Sequence, residues 1–136
     1  MEKIVDKDRW RLWQRNVIDK YKNWSTASIK EDLKKNANPF AICMEHWKGD
    51  FNISTLIRNA NAFNAKKVIY LGKKKFDRRG AVGSHHYIDF EHLSNGVNDL
   101  TSLKEKYTFV AIDNNIPNTQ KLSEFSWNKL EKPPLV

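Results

Sequence analysis

The sequence predicts an α/β fold built on a parallel sheet and preceded by helices. Two short apolar runs, Phe40–Met44 and Val68–Leu71, are each long enough for a buried strand and too short for a helix. Between them, Asp50 to Ala65 repeats apolar residues at helical spacing: Ile53, Leu56, Ile57, Ala60 and Phe63. Strand, helix, strand is one βαβ unit of a parallel sheet. A third apolar run, Tyr107–Ile112, follows another helix-length segment.

The elements are expected in the following order. Asp8 to about Tyr21 reads as an amphipathic helix, with Trp10, Trp13, Val17 and Tyr21 on one side and Arg9, Arg11, Arg15 and Lys20 around them. Its tryptophans are expected to bury area. Arg11 and Arg15 fit RNA contact and ordinary solvation equally. A short helix from about Ser28 ends at Asn36-Ala37-Asn38-Pro39, because proline biases its predecessor away from helix. The first strand runs from Phe40 to Glu45, and His46-Trp47-Lys48-Gly49 leads into the central helix. In that helix Asn52 is a good N-cap residue. Arg58 falls nearly opposite the centre of the apolar face, toward solvent, RNA or another subunit.

After the second strand, Lys73-Lys74-Lys75-Phe76-Asp77-Arg78-Arg79 places five cations in seven residues at a strand's C-terminal end. Arginine forks suit phosphate oxygens and lysines add point charge. Gly80-Ala81-Val82-Gly83-Ser84 is a small-residue turn without the ending of a Walker A loop or the spacing of a dinucleotide fingerprint. Tyr87–Phe90 is a short extended segment, and Val97 to Lys106 a second crossover helix with Leu100 and Leu103 toward the sheet. Asp113-Asn114-Asn115 follows the third strand. Lys121–Trp127 is expected to cover the sheet as a short helix or turn, and Pro133–Val136 opens a fourth strand. Glu45 and His46, at a strand end, are weak site candidates. His85, His86 and His92 have no Cys or Glu at zinc spacing, so no metal site is expected.

The chain has 136 residues, enough for one domain with an appended helical segment. Its net charge is +8, unevenly spread. Residues 1–38 carry ten basic and six acidic side chains, residues 39–92 nine and five, and residues 93–136 five and five. A positive balance confined to the first two thirds suggests a polyanionic partner, RNA first. No apolar run approaches the ~20 residues that span a bilayer, and the N-terminus has no signal-peptide core. The single Cys43 lies in a strand and reads as a structural thiol. These features point to a cytoplasmic protein.

Asn52, Arg58 six residues later, and the following Asn59-Ala60-Asn61-Ala62-Phe63 resemble the first motif of the SpoU (TrmH-type) RNA ribose 2′-O-methyltransferases, part of the SPOUT superfamily. The similarity extends through Lys67-Val68-Ile69-Tyr70-Leu71-Gly72 and Asp77–Gly83, and covers about Asn38 to Leu93 well. Ser54 departs from the pattern, standing where the family usually has glycine; the exchange is small for small.

The resemblance implies the Rossmann-like βαβ half of a SPOUT domain. Residues 1–37 would be an N-terminal helical extension, and 38–136 the N-terminal part of the methyltransferase domain, ending before the knot. In the family a Gly- and Glu-containing loop and a Ser-Leu-Asn segment follow, forming the trefoil knot and most of the S-adenosylmethionine pocket, and neither occurs here. The implied reaction is methyl transfer from S-adenosylmethionine to a ribose 2′-hydroxyl of tRNA or rRNA. Arg58 matches the family's catalytic arginine, and Asn52, the other catalytic residue the motif implies, would position Arg58 or the ribose. Lys73, Lys74, Lys75, Arg78, Arg79, Arg11 and Arg15 are the expected RNA contacts. Asp113 and Asn114 are lesser candidates for cofactor contact. The full-length family members dimerise. By itself this chain is expected to bind RNA in a salt-sensitive way and not to bind S-adenosylmethionine. A non-catalytic basic RNA-binding α/β module explains the charge but leaves Asn52 and Arg58 without a role. A small dinucleotide-binding domain lacks its glycine-rich fingerprint.

Overall fold

A computed structural model describes residues 15–45, 51–73 and 75–136. Among these, three α-helices are formed: α1 (Thr26–Lys35), α2 (Phe51–Ala62) and α3 (Val97–Leu100). Five strands accompany them: β1 (Asn38–Glu45), β2 (Ala65–Leu71), β3 (Phe90–Leu93), β4 (Thr108–Phe109) and β5 (Pro134–Leu135). The strands make one sheet in the order β3-β2-β1-β5-β4, with every pairing parallel. The fold is thus α/β, as the two apolar runs and the helical stretch between them require.

Successive residues of a strand face opposite sides of the sheet. Met44 of β1 and Val68 and Tyr70 of β2 are buried against Ile53, Ile57 and Ala60 of α2. Ala41 of β1 and Ile69 and Leu71 of β2 are buried with Leu103 and Leu135 on the other side. Both faces of β1 and β2 are covered, which is why their apolar residues run on instead of alternating with polar ones. The ring of Tyr70, fully buried, lies 5.5 Å from that of Phe76 and 5.9 Å from that of Phe90.

α1 begins two residues before Ser28. Ser25 is its N-cap, and its side chain accepts a hydrogen bond from the Ser28 N–H. The junction of α1 and α2 is held by two asparagines. Asn64, at φ 48°, donates from Nδ2 to the Asn36 carbonyl (2.9 Å) and the Leu33 carbonyl (3.3 Å). Asn38 donates to the Phe63 carbonyl at 2.8 Å.

Several expectations need correction. The helix expected to reach Tyr21 does not do so. Residues 15–17 form a bend and Asp19–Tyr21 a single 3-10 turn, while Arg9, Trp10, Arg11 and Trp13 lie outside the described residues. Side chains here bond to other partners: Tyr21 Oη and Lys20 Nζ both reach Asp32 Oδ2, at 2.6 and 2.7 Å, and Lys22 Nζ donates to the Arg15 carbonyl. The segment expected to be extended over Tyr87–Phe90 is instead a turn and bend after the 3-10 turn Ser84–His86, with only Phe90 in a strand, β3, so the run at Tyr107 is the fourth strand.

That fourth strand is shorter than expected. β4 pairs over Thr108–Phe109, since its neighbour β5 is two residues long, and Ile112 stands exposed. The crossover expected as one helix is α3 followed by a 3-10 stretch, Thr101–Glu105, although Leu103 is buried against the sheet as expected. The Lys121–Trp127 segment carries two 3-10 turns but does not cover the sheet, for Leu122 and Trp127 are exposed. Finally, the buried face of α2 is rotated from the expected one. Phe63 is 69% exposed and Ser54 fully buried.

Candidate functional site

The cationic loop after β2 packs down one flank of α2. Phe76 anchors it, packed against the core that holds Tyr70. The hydroxyl of Ser54 donates to the Asp77 carbonyl. Gly80 then comes so close to the helix that a Cβ there would lie 3.0 Å from Ser54 Cβ and 3.3 Å from the Phe51 carbonyl oxygen. Ala81 follows, fully buried. A small residue at 54 and glycine at 80 are therefore one structural requirement. Ser54 adds a hydrogen bond that the family's usual glycine cannot make.

With the buried face of α2 centred near Ile57, Arg58 sits about 110° round the helix from that centre, on the loop side rather than opposite the core. It is exposed and makes no hydrogen bond or ion pair with any described residue. It lines a cleft of about 310 Å³ with Asn61 of α2, Ile18 and Tyr21 of the leading segment, and Val82 and Tyr87 beyond the loop. Asn52 is also exposed but is not an N-cap, because Phe51 before it is already helical. Six residues place it about a third of a turn round the axis and about 9 Å along it from Arg58. The two motif residues share a helix but not a face.

The cations of the loop differ in their engagement. Asp77 accepts from Arg79 Nε (2.9 Å to Oδ2) and Nη2 (2.6 Å) and from the Arg79 backbone N–H (3.0 Å). These bonds pull the Asp77 carboxyl down to about 2. Arg78 lies with Cζ 5.9 Å from the Phe76 ring centroid. Lys73 and Lys75 are exposed and have no ion pair among the described residues. Lys74 and Arg11 fall outside the described residues.

Arg15 is engaged by the domain itself. Its guanidinium donates to the Trp24 carbonyl (2.9 Å), Thr26 Oγ1 (3.1 Å) and Tyr87 Oη (3.0 Å). That set ties the leading segment to the 81–87 turn and leaves little of the fork for phosphate.

Glu45 is exposed at the end of β1, and His46 lies outside the described residues. His85 stacks on His86 with ring centroids 3.9 Å apart. Its buried Nδ1 has no partner among the described residues, and burial lowers its pKa. No group of three metal-ligating side chains occurs among the described residues. Burial raises the pKa of Cys43, which is half-buried on β1.

A second cleft, about 520 Å³, opens beside the ends of β1, β4 and β5, where the strand order changes direction. Its walls, among them Leu56, Leu100, Phe109 and Ile112, are apolar. Asp113 and Asn114 follow it on an exposed segment, and Asp113 Oδ1 accepts from the Asn115 N–H at 2.8 Å. The described residues thus suit the flat apolar part of a nucleoside cofactor and do not supply the polar groups its ribose and amino-acid parts need. By themselves they do not form a complete S-adenosylmethionine site.

Residues missed from sequence are Ser54, Gly80, Val82 and Ile18. Ser54 had a signal, since it lies one helical position from Ile53 and four from Arg58. Val82 had none, because its backbone is left-handed (φ 49°, ψ 39°), where valine is rarely found.

The fold and site define a protein of the parallel α/β class, with an arginine on its first crossover helix that has no partner among the described residues and a cationic loop beside that helix. The model of the SpoU rRNA Methylase family matches residues 39–136, so the chain belongs to that family of RNA methyltransferases. No curated protein and no solved structure matches the chain. No helix among the described residues is long and apolar enough to cross a membrane.

Proposed function

We propose that the chain serves an S-adenosylmethionine-dependent methyltransferase acting on a ribose 2′-hydroxyl of tRNA or rRNA, with Arg58 as the catalytic side chain. The observation that carries this reading is the state of Arg58: a motif arginine, exposed, without a protein partner among the described residues, on the wall of a cleft. A guanidinium held by no carboxylate among the described residues is available to an anion of the substrate. A guanidinium is a poor base, so its role is to stabilise the alkoxide that develops as the hydroxyl loses its proton, or to hold the adjoining phosphate.

The donor's sulfonium supplies the electrophile. What remains for this chain is alignment and charge stabilisation. Asn52, on another face of α2, has the role of holding ribose or backbone rather than orienting Arg58. Lys73, Lys74, Lys75 and Arg78 contribute sequence-independent phosphate attraction. Arg79 is partly offset by Asp77, and Arg15 serves mainly to fix the cleft wall. A cytoplasmic homodimer, with most cofactor contacts made by other segments and at most a minor one from Asp113 or Asn114, completes the proposal.

The test is Arg58→Ala in the full-length enzyme, assayed for methyl transfer from labelled donor to RNA and, separately, for RNA affinity. Loss of one such stabilising donor is expected to lower kcat by about 10²–10³, with affinity changed only a few-fold. Near-normal methylation with unchanged binding would end the catalytic assignment. The asymmetric charge also favours a second reading, a basic RNA-binding module without activity; salt-sensitive binding by a wild-type enzyme that transfers no methyl group would select it.

A further inference from the structure

The cleft that Arg58 lines has two further properties. Ile18 and Val82, from segments more than sixty residues apart, stand on its walls 65% and 46% exposed. Asn16 and Asn61 line it as well, and neither side-chain amide makes a hydrogen bond with a described residue. Two apolar side chains on the walls, two amides without a partner among the described residues and a cation at hand match the chemistry of a single nucleotide. Its base has two apolar faces and a polar edge, and its backbone is anionic. At about 310 Å³ the space lies at the lower end of the range for small-ligand sites.

The backbone at Val82 is the independent observation. Valine in the left-handed region is a genuine outlier, and such outliers collect where a ligand is met. Here the conformation is imposed on both sides. The Val82 N–H donates to the Arg79 carbonyl at 3.2 Å, and Ser84 Oγ donates to the Ala81 carbonyl at 2.7 Å. Gly83, also left-handed at φ 84°, has nothing within 4 Å of an added Cβ. Local geometry would be satisfied better by glycine at 82. The side chain kept there is exposed, so core packing does not account for it.

We propose that this cleft receives one unstacked base of the RNA, held between Val82 and Ile18 with its edge read by Asn61 and Asn16. The inference rests on the proposed role of Arg58, since it takes that arginine as the group meeting the nucleotide's ribose or phosphate. It makes Val82 a positioning residue for the substrate. An unstacked base between apolar walls would fix the ribose beside Arg58, whereas the lysines of the loop act on any phosphate.

The experiment measures binding of a single-stranded oligoribonucleotide to the intact chain for wild type, Val82→Gly and Ile18→Ala, each as a function of salt, alongside thermal unfolding. Val82→Gly relieves the strained backbone, so it is expected to melt about 2–4 °C higher. Its RNA affinity is expected to fall about fivefold, as for loss of one base contact. The slope of log affinity against log salt should not change, since no phosphate contact is lost. Ile18→Ala should give a similar loss, which guards against reading an effect of backbone freedom as one of contact. A stabilised Val82→Gly with wild-type affinity, or a loss that appears as a reduced salt slope, overturns the inference and leaves the role of Arg58 standing. Failure of the wild-type chain to bind RNA at any salt overturns the proposed function itself, and the base site with it.

Discussion

Gly80→Ala tests whether the approach of loop and helix is as close as the structure has it. The substitution adds one methyl group, 3.0 Å from Ser54 Cβ, 3.3 Å from the Phe51 carbonyl oxygen and 3.4 Å from Phe51 Cε2. Ordinary carbon contacts lie at about 3.5–4.0 Å. The methyl therefore has to displace the loop or the helix by about half an ångström. Gly80 has no left-handed φ, so backbone strain does not confuse the result. Inserting a methyl group into a packed contact costs about 1–3 kcal/mol. In a chain of this size that lowers Tm by about 3–10 °C. Denaturant titration gives the free energy directly, and Ser54→Gly in the same background is the control. Removing Ser54 Cβ makes room for the new methyl, so the double variant should be more stable than the sum of the single losses predicts. A Gly80→Ala chain within about 0.5 kcal/mol of wild type would refute the close approach. So would strict additivity in the double variant, and the loop could not then be the element that sets the flank of α2 beside Arg58.

Other perturbations test neighbouring parts. Asn64→Ala removes donors to two α1 carbonyls and puts alanine at φ 48°, and should cost about 1–3 kcal/mol, with Asn64→Gly costing less; equal losses would show that conformation plays no part. Asp77 should titrate near 2 by NMR. Its folded pKa lies below the ordinary carboxylate value, so its stabilising pairing with Arg79 is complete above about pH 4 and lost as pH falls toward 2; a midpoint near 4 would disprove the pairing. For His85, burial disfavours the charged ring, so its contribution to stability is present above about pH 6.5 and lost as pH falls below that value, and a midpoint above 6.5 would contradict its burial. Lys73→Ala and Arg78→Ala should each reduce the salt slope of RNA binding by about one without affecting base preference.

The sheet was legible because its strands declare themselves by composition. Val68–Leu71 is buried on both faces, and a four-residue apolar run has no other explanation in a chain of this polarity. α2 was legible from its period, but its exact rotation was not. The period is blind to which small polar residue a neighbouring loop will bury. Phe63 supplied hydrophobicity on the expected face, while Ser54, polar in composition, is the residue the Asp77 carbonyl and Gly80 enclose. β3 was misplaced for a related reason. Phe90-Glu91-His92-Leu93 is only half apolar, and as the edge strand it pairs on one side, with β2. The N-terminal amphipathic pattern misled at Tyr21, where the ring is buried as the pattern suggested but the chain makes a single 3-10 turn, with the Tyr21 hydroxyl donating to Asp32 and the Arg15 guanidinium to the Trp24 carbonyl.

The candidate site shows the same division. Arg58 could be singled out because it sits at a fixed spacing from Asn52, and spacing is a property of sequence. Its surroundings could not. They depend on a loop that departs from the end of β2, is pinned by Phe76 and Ser54, and brings Val82 alongside α2 about twenty-five residues further along the chain. The expectation that the cations would act at the C-terminal rim of the sheet followed from the general behaviour of open parallel sheets. Here the loop runs from the end of β2 along α2, with Asp77 and Gly80 meeting Ser54 and Phe51 in that helix's first turn and Val82 lining the cleft with Arg58. That path explains how the segment following a strand-end loop and a mid-helix arginine come to share one cleft. It also makes the contact of Gly80 with α2 the point on which the geometry of the whole flank turns.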